Sequence, residues 1–248
     1  YIECRLTELA RREVFSPKTT DYTPSYDGRN KEPVLLPAKL PLLLMLGAEG
    51  IAVGLSTNIL PHNFIELLEA EIAIIQNKPF QVFPDFQTGG MIDVSEYQDG
   101  VGRVKLRSHI EASGSGKVVI RELPYGQTTE SLIRTIEDAI KKKKVPVRQI
   151  NDFTAAKVEI ELVLTAGTAQ DKAIKALYAF TACETSTTSR PVLLHDNKPR
   201  EATVSEILKL NVEQLLAQLQ RELELQRDEL NEDFHNRTLE RIFIEERI

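Results

Sequence analysis

Long apolar runs are missing from this 248-residue chain, and that decides against a membrane helix. A transmembrane helix needs about 20 predominantly apolar residues, whereas the cleanest run, Leu40–Leu46, contains Pro41 and stops at Gly47. Cysteine is scarce too. Cys4 and Cys183 are the only two, neither a disulfide framework nor a pair at metal-ligand spacing, so a reducing cytoplasm is the expected setting. The chain shows no basic stretch leading into an apolar core and a small-residue cleavage site. It starts without Met, and a piece of a longer protein is expected. Positive charge is also in deficit: 31 Lys and Arg stand against 37 Asp and Glu, a net charge of −6, which taken over the whole chain argues against a nucleic-acid partner.

The distribution of charge reverses that inference for one segment. Residues 101–150 hold eleven Lys or Arg and five acids, a local excess of six positive charges, whereas residues 51–100 hold one base and seven acids. Surface potential depends on nearby charge and is screened within about 10 Å at moderate salt, so a basic face can steer DNA on an acidic chain. Lys141, Lys142, Lys143 and Lys144 are the densest basic run. Two readings stand for them, phosphate contacts or a solvated helix end that complements the helix dipole.

At 42% hydrophobic and 27% charged residues, the composition is that of a globular protein, and the length suggests two units. Residues 33–63, PVLLPAKLPLLLMLGAEGIAVGLSTNILPHN, are strongly apolar yet broken throughout by Pro and Gly. They read as an apolar strand or turn leading into Gly47, Gly50 and Gly54, where the backbone can approach another surface closely. Ile51 lies among those glycines, and core packing is its commoner reading. The glycine spacing matches neither a dinucleotide fingerprint nor a P-loop.

Three segments follow from periodicity. Residues 1–100 carry a short amphipathic helix at Ile2–Arg12, a polar loop at Ser16–Glu32, the apolar block, and a helix at Phe64–Gln76 with Asn63 and Glu66 as a capping box. Residues 101–202 read as an α+β sandwich of order ββαββαβ with its helices on one face. Its expected elements are a hairpin through Val104, Leu106, Ser108, Val118 and Ile120, a helix after Thr128, strands at Val147–Phe153 and Val158–Leu164, a helix at Gln170–Phe180, and a last strand at Val192–His195. Residues 203–248 form one helical pattern without Pro or Gly, with Leu216, Leu219, Leu223 and Leu230 at coiled-coil spacing.

Several strings in this order, YIECRL at Tyr1–Leu6, YDG at Tyr26–Gly28, PAKLP and GAEGIAVG, NILPHN, PDFQTGG at Pro84–Gly90, GVGRVKLR, RELPY and the closing LERIFIEERI, resemble the A subunit of bacterial type IIA DNA topoisomerases, the gyrase and topoisomerase IV family. The resemblance spans nearly the whole chain, and LERIFIEERI is more like topoisomerase IV. It implies the end of a winged-helix region at Tyr1, a DNA-bending tower and the first helix of a coiled-coil arm. It also implies a DNA breakage-reunion enzyme that passes one duplex through another with ATP. Tyr1 aligns with the catalytic tyrosine, whose hydroxyl attacks a DNA phosphate, and Ile51 with an apolar wedge that kinks the duplex. Lys39, His62 and Asn63 flank the wedge as phosphate or groove contacts, with hydrogen bonding to the loop backbone an equal reading for His62. One departure is Ala48–Glu49 where the family has small polar residues; a carboxylate beside phosphate needs to point away or pair with Lys39. The resemblance places Mg²⁺ and ATP on a partner, the B subunit, with no metal in this chain. Duplex DNA and a second copy of the A subunit are the further partners it implies, in a cytoplasmic, nucleoid-associated enzyme. The competing class is a non-enzymatic α+β interaction module with a dimerising coiled-coil helix, which lacks DNA affinity. A small-molecule enzyme is disfavoured, because no polar constellation surrounds the glycine segment.

Overall fold

A computed structural model describes residues 2–195 and 198–246. Near the start, Thr7 accepts a hydrogen bond from the Ala10 N–H at 3.1 Å and caps helix α1, Glu8–Glu13. The apolar spacing placed this helix from Ile2, but Ile2 and Leu6 precede the cap and are exposed. The polar loop that follows holds a small hairpin, β1 (Tyr22–Pro24) with β2 (Lys31–Pro33). The apolar block then forms helix α2 (Leu42–Leu46) and a hairpin of β3 (Ala48–Ala52) and β4 (Leu55–Ile59), followed by helix α3 (Phe64–Ile75).

Next come strands β5 (Met91–Asp93), β6 (Arg103–Arg107), β7 (His109–Ala112) and β8 (Lys117–Glu122), then helix α4 (Thr129–Lys141). Strands β9 (Val147–Asp152) and β10 (Ile160–Leu164) lead to helix α5 (Gln170–Phe180). Strands β11 (Glu184–Thr188), β12 (Val192–His195) and β13 (Lys198–Glu201) precede helix α6, Val204–Glu246, of 43 residues. The protein is mixed α and β, and its contacts divide it into two units. One comprises Tyr1–Leu42, Leu68–Phe80 and Glu206–Ile248, the other Leu43–Leu67 and Gln81–Ser205.

The second unit holds the larger core. An antiparallel sheet in the order β7-β8-β10-β9 pairs Ile160 with Ile120 and Leu162 with Val118, and these side chains meet Leu132, Ile136 and Leu177 from α4 and α5. All of these aliphatic groups are shut off from water, each contributing about 1.5–3 kcal/mol. The opposite face carries polar groups that pair around a buried Val119. Lys117 pairs with Glu161 at 2.9 Å, Arg121 with Glu159 at 3.1 Å, and Asn151 donates to Glu161 at 3.0 Å, so both helices cover a single face, as the sequence predicts. Thr128 and Ser131 form a reciprocal capping box at the start of α4.

Residues 101–202 hold β6, β7, β8, α4, β9, β10, α5, β11, β12 and β13, so the expected order ββαββαβ is recovered only as alternating strands and two helices, with additional strands at both ends. The strand expected to run through Ser108 is split: β6 joins a separate sheet, β11-β6-β5, and only β7 pairs with β8. Ser108 is wholly buried at the break, its N–H donating to the Cys183 carbonyl at 2.8 Å. The strand expected at Val192–His195 belongs to neither sheet and pairs with β13.

In the first unit, α6 exposes Leu216, Leu219, Leu223 and Leu230, spaced as the seam of a coiled coil. Loop residues bind the same helix: Lys18 pairs with Glu229, Asp21 with Arg221, and Gln218 donates to Thr19. Glu71 of α3 is 4% exposed, and its Oε1 finds no hydrogen-bond partner among the described residues. Burial pushes its pKa from the usual 4.5 to about 7. A carboxyl raised in the native state favours folding below its unfolded pKa and loses that contribution as pH rises through the native one. Glu71→Gln is therefore expected to leave the melting temperature nearly unchanged at pH 4.5 and to raise stability by about 2–3 kcal/mol at pH 8. Thermal melts of both proteins at the two pH values check this; equal gains at both would show that the charge is not the cause.

Candidate nucleic-acid interface

The β3–β4 hairpin projects because of what its base allows. Gly47, with φ +70°, ends α2, and a Cβ there would lie 2.6 Å from the Ile59 carbonyl oxygen and 3.0 Å from the Pro61 nitrogen. Only glycine lets the entering and leaving strands close so tightly. Along the hairpin Gly50 faces Thr57 and Ile51 faces Ser56. At its end Ile51 is 88% exposed and Val53 fully so. Leaving an isoleucine in water forgoes about 2 kcal/mol of burial, so the core reading of Ile51 gives way to a surface one.

The hairpin is laced to the segment after β11. Asn58 and Arg190 exchange backbone hydrogen bonds at 3.0 and 2.8 Å, the Asn58 amide donates to the Thr188 carbonyl at 2.8 Å, and the Val192 N–H donates to the Thr57 hydroxyl at 3.1 Å. Between this hairpin and β12–β13 runs an open groove of about 280 Å³, lined by Ile51, Ala52, Leu55, Val192, Leu194 and Pro199 among others.

Three residues singled out with Ile51 have other employment. Lys39 lies between Glu13 at 3.2 Å and Glu222 at 3.3 Å with its side chain 16% exposed. Burial pulls its pKa down, the hydrogen bonds it donates to Glu13 and Glu222 outweigh that, and the result is a raised value. Its charge faces carboxylates of its own unit, neither of them Glu49. Asn63 caps α3: its Oδ1 accepts from the Ile65 and Glu66 N–H groups at 3.0 and 3.4 Å, and its amide donates to Asp85 at 3.0 Å. That satisfies both ends of the side chain.

His62 is 4% exposed and cannot touch a phosphate from there. Its Nδ1 lies 3.3 Å from the Leu44 carbonyl, an acceptor only, so Nδ1 carries the proton and Nε2 accepts from the Tyr97 hydroxyl at 2.8 Å. Burial holds its pKa below the usual value, against the raising effect of the Leu44 and Leu60 carbonyls. The imidazole is therefore a neutral core bridge. Tyr97 was not legible as its partner, because 35 residues separate the two.

Lys141–Lys144 are all exposed at the end of α4. Lys143 takes a left-handed φ of +54°, with its N–H on the Ile140 carbonyl and that of Lys144 on the Ala139 carbonyl, a Schellman ending with lysine where glycine is usual. Lys141 pairs with Asp138 at 3.3 Å and Lys144 lies 5.3 Å from the Phe180 ring centre. The geometry is that of a helix end whose ammonium groups remain in solvent. Tyr1 lies outside the described residues. Among the described residues no group of three or more His, Cys, Asp or Glu is arranged to hold a metal ion.

The structure also brings out a basic row that the local charge excess includes but does not single out. Arg103, Lys105 and Arg107 alternate with buried Val104 and Leu106 on β6 and share its exposed face. Arg103 donates to the Ser186 hydroxyl at 2.6 Å, and Arg107 pairs with Glu184 at 2.5 Å while lying 5.2 Å from the Tyr178 ring centre. The strict alternation was the available signal.

The second unit thus presents an exposed apolar hairpin tip together with exposed basic rows. Comparison with known proteins gives the family: the model for the A subunit of DNA gyrase/topoisomerase IV matches residues 1–247, and the chain belongs to that family. It is 47% identical to the A subunit of DNA topoisomerase 4 of Borreliella burgdorferi over 244 residues, 98% of this chain and 39% of that protein. It is 36% identical to the A subunit of DNA gyrase of Lawsonia intracellularis, over 84% of this chain and 28% of the relative. For the corresponding gyrase protein of Pseudomonas aeruginosa the identity is 31%, over 86% and 26%. The chain thus spans about two fifths or less of the length of these relatives.

Proposed function

We propose that this chain is the DNA-bending part of the A subunit of a type IIA topoisomerase, with the β3–β4 hairpin as the tip of a tower and Ile51 as its wedge. The observation that supports it most is the 88% exposure of Ile51 on a hairpin laced to its neighbours. An apolar side chain held this way can enter a base step, and its cost of unstacking, a few kcal/mol, is offset by contacts of the bent duplex. Lys141–Lys144 and the β6 row supply cations for the flanking phosphates. The higher identity to the topoisomerase 4 protein favours that branch of the family.

In the whole enzyme Tyr1 is the proposed nucleophile: its phenolic oxygen forms a bond to phosphorus as the phosphodiester bond to the sugar oxygen breaks. A phenol of pKa about 10 requires a cationic neighbour to do this near neutral pH. ATP and Mg²⁺ are assigned to a B subunit, with a second copy of the A subunit completing the assembly through arms begun by α6. A cytoplasmic, nucleoid-associated location accompanies this reading.

Duplex binding separates it from an interaction module without DNA affinity. Replacing Lys141, Lys142, Lys143 and Lys144 by Ala together is expected to weaken binding to all sequences alike and to flatten the salt dependence by up to about 0.9 per lost phosphate contact. Fluorescence-anisotropy titrations from low to moderate salt measure both. Unchanged affinity and slope would leave those lysines as a solvated helix end, and absence of any duplex binding by the parent protein would favour the module.

A further inference from the structure

We infer that Tyr97 and His62 are positioning residues, fixing the direction in which the β3–β4 hairpin carries Ile51 by pinning the hairpin's root to the turn at the start of α6. The inference rests on the wedge reading of Ile51. Strand β4 is held at mid-length by Asn58 and Thr57 through Arg190 and Val192. One such attachment leaves a pivot; a second one sets an angle.

The second attachment lies where the hairpin ends. The His62 N–H donates to the Leu44 carbonyl at 2.9 Å and its Nδ1–H reaches the same oxygen, tying the exit of β4 to α2 at the hairpin's entrance. On its other side the ring accepts from Tyr97. Tyr97 opens a turn in which Gln98 and Asp99 take left-handed φ values of 50° and 52°. That turn is seated against the first residues of α6: the Asp99 carboxylate accepts from the Ser205 hydroxyl at 2.9 Å and its N–H at 3.3 Å. A Cβ at Gly100 would meet Val204 at 2.5 Å. Two successive non-glycine residues hold this conformation only where surrounding contacts over-determine it.

Apolar side chains at 62 and 97 would fill the same space without directional demand, whereas a buried phenol on an imidazole fixes one orientation. Leverage makes that orientation matter. From Gly47 to Ile51 the strand extends about 13 Å, so a tilt of about 10° at the root moves the wedge by about 2 Å, enough to miss a base step.

The test uses the intact protein with Cys4→Ser and spin labels at Val53→Cys and Lys172→Cys, both positions being exposed and in the same unit. Tyr97→Phe is expected to widen the label-to-label distance distribution about twofold. In unlabelled protein it is expected to shift the end-to-end energy transfer of bound duplex toward straighter DNA. Val147→Ala, a buried change in β9 at the far edge of the four-stranded sheet, gives the comparison for simple destabilisation and should leave both readouts at the parental value. Unchanged width and transfer in Tyr97→Phe, with Ile51→Ala altering the transfer, would overturn the positioning role while keeping the wedge. A widened distribution with transfer unaffected by either Tyr97→Phe or Ile51→Ala would overturn the wedge reading and with it the proposed purpose of the pin.

Discussion

Gly102→Ala is expected to cost about 4 kcal/mol or more and to lower the melting temperature by about 8–16 °C. The backbone at Gly102 has an unexceptional φ, so conformational freedom is not the reason. A Cβ there would sit 2.0 Å from the Glu96 carbonyl oxygen and 2.7 Å from that of Tyr97, and neither atom belongs to a flexible side chain. Both flanking positions are already committed: the Arg103 N–H donates to the Glu96 carbonyl at 2.9 Å and the Ser189 N–H to the Gly102 carbonyl at 2.7 Å. Relieving the clash therefore breaks the entry of β6 and its tie to the end of β11. Gly54→Ala is the contrast. Its φ of +78° is strained for alanine, but nothing lies within 4 Å of the added carbon, so only the backbone penalty of about 1–2 kcal/mol applies. Circular-dichroism melts of the two variants should rank them in that order. A Gly102→Ala protein melting within about 3 °C of the parent would contradict the close approach.

The elements that were legible in the sequence are those whose stability comes from their own apolar spacing. Helices α4 and α5 and strand β10 carry Leu, Ile and Val on one face at their own period, and each, like β9, was placed within two residues of where it stands. Strands β11 and β13, ETSTT and KPRE, carry no such pattern, since β11 is held by ladder bonds to β6 and by Arg107 and Arg103 reaching Glu184 and Ser186. The break at Ser108 was hidden for the opposite reason: alternation of Val104, Leu106, Ser108 and Ile110 runs straight through it, although the chain changes sheets there.

At the candidate interface the limit was distance along the chain. Lys39 looks like a surface cation until Glu222, 183 residues away, is brought against it. The cap at Asn63 was legible from its place before the helix, whereas Tyr97 on His62 and Asp85 on Asn63 were not, because each lies more than 20 residues away. Ile51 is the converse case. Its apolar side chain favoured a core position and its glycine neighbours a projecting turn, and the hairpin leaves the side chain exposed.

For Ile51 a small effect on folding and a large one on DNA are expected from a single substitution. Because the side chain is 88% exposed, Ile51→Ala removes little buried area, and a stability change within about 0.5 kcal/mol follows; an isoleucine packed in a core would cost about 2–5 kcal/mol. On the duplex the balance is different. Bending a site of 20–30 base pairs costs on the order of 1–6 kcal/mol, and the wedge relieves part of that by opening one step. If insertion contributes about 2–3 kcal/mol, its loss lowers the population of bent complex about 30- to 150-fold. Ile51→Leu, with similar volume and equal capacity to unstack, should bend DNA nearly as well as the parent, which separates apolar insertion from a requirement for one particular shape. The measurements are the melting temperature and the end-to-end energy transfer of bound duplex, taken with all three proteins at saturating concentration. A drop in melting temperature of core size with unchanged bending would return Ile51 to a packing role, and equal loss in Ile51→Leu and Ile51→Ala would exclude simple apolar wedging as the source of the bend.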